Sequence, residues 1–220
     1  MMGVDAMFVC TTDLFRGTTP DEVEAMLGCL GARAGKYKKG EVILREGEVT
    51  SSIGLVLQGS VRLESSDVWG NTSMIGLFGQ GETFGEAYAA LPGRSLLASA
   101  IAAEPSTVLF TEVRHIVSRC PKECSYHAQV NANLLASIAR KNLYLSQRIL
   151  DSAPKSIRGK LLAYLSTQSK AAGTREFDIP FSRQQLADYL GVDRSALSSV
   201  ISELRRDKVL RSQRSHFELL

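Results

Sequence analysis

The sequence predicts an α+β chain in three parts: an N-terminal antiparallel β-roll, one long helix and a C-terminal winged helix-turn-helix. Three observations carry this. Short β-rich runs punctuated by glycine fill the stretch from Glu41 to Phe110. From Cys124 to Leu150 the apolar period becomes that of a helix, with neither Gly nor Pro to break it. Near the end, two short segments with their own start and stop signals meet at Leu190-Gly191-Val192.

The bulk properties fit such a chain. At 220 residues it is long for one small domain and short for two average ones, so two unequal modules are expected. It is 44% hydrophobic and 22% charged with a mean hydropathy of −0.03, which suffices for a buried core and excludes disorder, collagen and coiled-coil rods. No run approaches the length of a membrane span, and Met1 to Phe15 lacks the basic and apolar regions of a secretory leader. A soluble, cytoplasmic chain without a membrane partner is expected. The four cysteines, Cys10, Cys29, Cys120 and Cys124, are too scattered for a disulfide framework and read as reduced thiols. Charge is uneven: up to Asp151 there are 14 basic and 16 acidic residues, net −2, and beyond it 12 and 7, net +5. Only the C-terminal part is therefore suited to a polyanion.

Along the chain, Thr19-Pro20-Asp21-Glu22 is a helix start: a capping hydroxyl, a proline at the first helical position and carboxylates in the positive first turn. The β-rich runs follow at 41–44, 53–57, 61–63, 73–77, 97–101 and 107–110, separated by Gly40, Gly47, Gly59, Gly70-Asn71, Gly79 and Gly81. Such spacing implies an antiparallel roll. In the long helix, Val130, Leu134, Ile138, Leu145 and Ile149 form one stripe, widened by Leu135, Ala139, Leu143 and Leu150. That surface is too broad for one neighbour, so one face is expected to seat on the roll and another to pair with a second copy. Ser152-Ala153-Pro154 breaks the pattern. The expected division is thus a β-roll over 1–123, to which the resemblance below adds effector sensing, a dimerisation helix over 124–151 and a nucleic-acid-binding head over 152–220.

In the head, Ser182 caps a helix whose inward positions are Leu186, Ala187 and Leu190; Gly191 stops it and Asp193 caps the next, which buries Leu197, Val200, Ile201 and Leu204. Two short helices crossing at a small residue make a helix-turn-helix whose second helix is shaped to enter a major groove. Arg194, Ser195, Ser198 and Ser199 are its exposed residues. A hairpin on either side of Ser212 to Ser215 reads as a wing carrying Arg211 and Arg214. No Ser/His/Asp, HExxH, P-loop or paired-carboxylate signature is present, and three histidines leave little general-base chemistry, so no catalytic and no metal site is expected.

The order of parts resembles the cyclic-AMP receptor protein and fumarate-nitrate regulator family of bacterial transcription factors over nearly the whole chain. The β-roll glycine pattern of that family is similar to Lys39-Gly40-Glu41, Arg45-Glu46-Gly47, Gln58-Gly59-Ser60-Val61 and Gly81-Glu82-Thr83-Phe84-Gly85-Glu86. Ser182-Arg183-Gln184, Leu190-Gly191-Val192 and Asp193-Arg194-Ser195 look like its DNA-reading unit. The resemblance implies a cyclic-nucleotide-binding-like jelly roll, a homodimer on near-palindromic double-stranded DNA, a small-molecule effector and RNA polymerase as a further partner. It adds Ser182, Arg183 and Gln184 to the DNA-contacting residues. A cyclic-nucleotide-binding signalling module acting on a protein partner is the competing reading, and it requires no salt-dependent DNA affinity.

Two departures bear on mechanism. In nucleotide-binding members, Gly-Glu meets the ribose and an Arg-Ser pair about ten residues later holds the phosphate. Gly85 and Glu86 match, but a gap-free count lands on Leu96-Leu97, with Arg94-Ser95 two residues early unless the loop is shorter. Leucines at the phosphate position disfavour cyclic AMP, and the effector stays unknown. Leu145 and Ser146 lie where family members reach their ligand from the long helix. In the recognition helix, Ser199 stands where the family usually has a second arginine, so the half-site should differ from the common one. Iron-sulfur or haem sensing, through Cys10, the Cys120/Cys124 pair, His115 or His127, is disfavoured by too few converging ligands.

Overall fold

The computed structural model describes residues 4–69, 72–118 and 126–220. Gly70-Asn71, Cys120 and Cys124 lie outside these. The chain divides into two compact units, Met1–Ala139 and Arg140–Leu220.

The first unit opens with α1 (Ala6–Val9) and α2 (Pro20–Cys29). Strands β1 (Arg33–Tyr37), β2 (Val42–Leu44), β3 (Ser52–Gln58), β4 (Val61–Ser66), β5 (Thr72–Phe78) and β6 (Thr83–Phe84) follow. Then come α3 (Glu86–Ala89), β7 (Ser99–Ala102), β8 (Ser106–Glu112), α4 (Val113–Val117) and the first half of α5 (Tyr126–Ser152). Thr19 caps α2 in a full capping box with Glu22, as the Thr-Pro-Asp-Glu signal requires. The strands form two antiparallel four-stranded sheets, ordered β1-β8-β3-β6 and β2-β7-β4-β5.

Between the sheets pack Val56, Val61, Phe84, Ala100 and Val108. The opposite face of the first sheet, with Ile53, Leu55 and Leu109, packs under the helices against Phe15, Met26, Ile116, Val130 and Leu134. A sheet covered on both faces explains why β3 reads as nearly continuous apolar residues. Gly59 turns β3 into β4 at φ +79°, and a Cβ there would sit 2.5 Å from the Pro105 carbonyl oxygen. Gly40, Gly47, Gly81 and Gly85 share this sign of φ, which accounts for the glycine pattern.

β1 and β6 were not expected from the sequence. β1 reads Arg-Ala-Gly-Lys-Tyr, without a branched aliphatic residue, and is a strand because it pairs with β8 from Arg33↔Phe110 to Tyr37↔Ser106. The run expected over 97–101 begins as a strand only at Ser99.

The second unit holds the rest of α5, then α6 (Ile157–Ala172), β9 (Glu176–Asp178), α7 (Arg183–Leu190), α8 (Arg194–Arg206), β10 (Leu210–Gln213) and β11 (His216–Leu219). The three strands form an antiparallel sheet ordered β10-β11-β9. Leu161, Leu165, Leu186, Ala187, Leu190, Leu197, Leu204, Leu210 and Phe217 make a second core. At the α5 end, Asp151 is 1% exposed and accepts hydrogen bonds from Tyr189 Oη at 2.9 Å, Gln147 Nε2 at 2.9 Å and Thr167 Oγ1 at 3.3 Å. Burial, and after it this carboxylate, push the Tyr189 and Tyr164 phenols well above their ordinary range. Among the described residues, no helix is long and apolar enough to cross a membrane.

Candidate nucleic-acid interface

Helices α7 and α8 are set by local chemistry. Ser182 Oγ accepts from the Gln185 amide while Gln185 Oε1 accepts from the Ser182 amide, a closed capping box. Gly191 ends α7 at φ +61° with its amide bonded to Ala187 and Asp188 carbonyls, a conformation an L side chain resists. Asp193 then caps α8 through the Ala196 amide at 2.9 Å. Its carboxyl is held below the usual range, first by the Ser195 hydroxyl and then by that amide.

Burying Leu197, Ile201 and Leu204 turns the opposite face of α8 outward, so Arg194, Ser195, Ser198 and Ser199 come together near its start. The hydroxyls of Ser198, Ser199 and Ser202 donate to the Arg194, Ser195 and Ser198 carbonyls at 2.9, 3.1 and 3.0 Å. Their outward lone pairs are left as acceptors. The same face continues through Ser202, Arg205 and Arg206, which sequence reading missed although the spacing from Ser195 and Ser198 pointed to them.

The remaining expected contacts differ in placement. Arg214 occupies the wing tip between β10 and β11 at φ +53°, a region side chains seldom adopt. Arg211 forms an ion pair with Glu218 across the wing at 3.0 Å, and Gln184 Nε2 donates to Asp188 Oδ1 at 2.8 Å. Arg183 turns inward: its Nη2 donates to the Arg214 carbonyl at 3.3 Å and its guanidinium lies 5.6 Å from the Phe217 ring centroid.

In the first unit, Gly85 at φ +80° precedes α3, and Glu86 is buried in its first turn. Arg94 closes a turn on the Leu91 carbonyl at 3.1 Å, and Ser95 bridges to Val49. Leu96 is 6% exposed and Leu97 is 66% exposed, so the structure does not bring these neighbours to one surface. Leu145 and Ser146 are exposed on the second unit's part of α5, where Ser146 Oγ donates to Asn142 Oδ1 at 3.3 Å. Cys10 and Cys29 are half-buried thiols. His127 is buried, which lowers its pKa.

Comparison with known proteins places these parts in one family. Residues 35–119 match the cyclic nucleotide-binding domain and residues 159–220 the Crp-like helix-turn-helix domain. The chain is 30% identical over 205 residues to the cyclic AMP receptor protein of Thermus thermophilus, covering 90% of this chain and 88% of that one. It is 24% identical over 184 residues to the transcriptional activator protein FnrL of Cereibacter sphaeroides, covering 79% and 71%. Among solved structures, the Thermus thermophilus catabolite activator protein superposes with a TM-score of 0.51 at 26% identity, covering 95% of this chain and 94% of that one. With its glycine-turned roll and its helix-turn-helix, the chain belongs to the cyclic-AMP receptor protein and fumarate-nitrate regulator family of transcription regulators.

Proposed function

We propose that the chain is a cytoplasmic homodimeric regulator, without enzymatic activity, that reads a near-palindromic duplex through Arg194, Ser195, Ser198 and Ser199 and braces on the backbone with the wing. The observation that carries this is the exposed Arg-Ser face of α8, set by the burial of Leu197, Ile201 and Leu204. A dimer would set two such helices in successive major grooves, roughly 34 Å apart. The division into 1–123, 124–151 and 152–220 then separates sensing, pairing and reading, and RNA polymerase is the partner the family implies. An anisotropy titration at two salt concentrations tests this reading: affinity for duplex that falls steeply with salt is expected. Salt-insensitive or absent binding would transfer the chain to the class of signalling modules that act on protein partners.

For the effector, we infer a small molecule with an anionic group, met by Arg94 and Ser95 beside Gly85 and Glu86. The support is where the two leucines lie: Leu96 is buried and Leu97 exposed, so together they do not form the apolar lining that disfavours an anion, and Arg94 and Ser95 precede them at the turn closed on the Leu91 carbonyl. Calorimetry with cyclic AMP as the probe anion should give a binding heat that Arg94→Ala removes. Equal heats from both proteins would take the turn out of the effector site.

A further inference from the structure

Between α8 and wing strand β10 lies a cleft of about 410 Å³ whose walls include Arg183, Ser198, Ser202, Arg205, Gln213 and Arg214. Three arginines line it, and none of its described lining residues carries a carboxylate. Two arginines outside the cleft are balanced: Arg211 pairs with Glu218 at 3.0 Å and Arg158 with Asp207 at 3.1 Å. Among the described residues, neither Arg183, Arg205 nor Arg214 takes part in an ion pair. Like charges gathered in a partly desolvated cleft disfavour one another, and an anion between them reverses the sign of that interaction. Burial, and then the Arg205 charge, lower the Arg183 pKa, as this crowding requires. Arg183 cannot swing out to relieve it without giving up the Arg214 carbonyl and the Phe217 ring.

We propose that this cleft seats one backbone phosphate of duplex DNA in each protomer, gripped by Arg205 and Arg214, with Arg183 as the fixed cation behind them. The inference rests on the DNA-reading role proposed above and deepens it by assigning Arg205, at the C-terminal end of α8, to the phosphate contact. Duplex DNA is the fitting source because Ser198 belongs both to the cleft and to the exposed base-reading face, so a strand lying on that face passes the cleft mouth. Guanidinium forks suit phosphate oxygens, and Gln213 adds an amide donor. A phosphate contact of this kind carries affinity and register without sequence preference.

The test is the salt dependence of binding to labelled duplexes by the full chain. Each phosphate neutralised contributes about 0.9 to the slope of log affinity against log salt. Arg205→Gln should flatten that slope by about 0.9 for each protomer engaged, alike on specific and random duplex, while Arg205→Lys keeps it. Arg214→Gln, on the other wall, should flatten it in the same way and serves if Arg205→Gln melts early. Slopes that match the unaltered chain in both glutamine variants overturn the seat while leaving the DNA-reading role standing. Absence of duplex affinity in the unaltered chain removes that role itself.

Discussion

The Arg183 guanidinium donates to the Arg214 carbonyl 3.3 Å away, tying the first residue of α7 to the tip of the wing. Stacked over the fully buried Phe217, it is a strut inside the head as well as a surface cation. The carbonyl it holds belongs to a residue at φ +53°, a conformation that needs outside support. Arg183→Lys preserves the charge but loses the planar fork and the stacking. Affinity for any duplex should therefore fall by about 1 kcal/mol with the salt slope unchanged. A double-mutant cycle with Phe217→Leu checks the strut: strictly additive losses would uncouple the guanidinium from the ring it stacks on.

Arg194 sits at the first position of α8 with its side chain exposed. Arg194→Ala is expected to cost about 1 to 3 kcal/mol of discrimination between specific and random duplex. Competition binding measures this, and equal losses on both duplexes would move Arg194 to the backbone contacts.

The long helix sorts its apolar residues. Val130 and Leu134 are buried in the first unit's core with Ile138 packed against them, whereas Leu143 and Ile149 are each 70% exposed. Ile138 is therefore the wrong place to test pairing, since a charge there disturbs the roll itself. Leu143→Glu or Ile149→Glu should give a folded monomer with weakened binding to a palindrome, read by sedimentation. A dimer that survives both substitutions would place the interface elsewhere.

Asp151 accepts three hydrogen bonds in a buried setting, so Asp151→Ala strands the Tyr189 hydroxyl and should lower stability by about 2 to 3 kcal/mol. Tyr189→Phe should cost less, because it removes a donor rather than the shared acceptor. Thermal or urea melts of the two variants decide the order.

His216 joins β11 to β9, with Nδ1 3.3 Å from Asp178 Oδ1 and Nε2 3.1 Å from Glu176 Oε1. The hydrogen bonds to Asp178 and then Glu176 raise its pKa above the ordinary histidine value. A raised folded-state pKa stabilises fully below the unfolded pKa, and the gain is lost as pH rises through the folded one. The melting temperature should thus fall as pH climbs through neutrality, and His216→Gln should flatten that dependence. An unchanged slope in the variant would assign the pH response to other groups.

How much of this was legible in the sequence follows from where each determinant sits in the chain. Caps at Thr19, Ser182 and Asp193, the left-handed turns at Gly59 and Gly191, and the helical period after Tyr126 depend on residues within a turn of one another. Adjacent chemistry suffices to write them, so the roll, the long helix and the helix-turn-helix could be read directly. Other features depend on partners far along the chain. β1 is a strand only through β8, Arg183 turns inward because Arg214 and Phe217 receive it, and Arg211 is held by Glu218. Leu96 and Leu97 part because the Gly47 amide donates to the Leu96 carbonyl at 2.8 Å and the Glu48 carbonyl accepts from the Leu96 amide at the same distance. Which arginine faces outward and which leucine faces inward is set by long-range pairing and burial, which single-residue types and spacings do not encode.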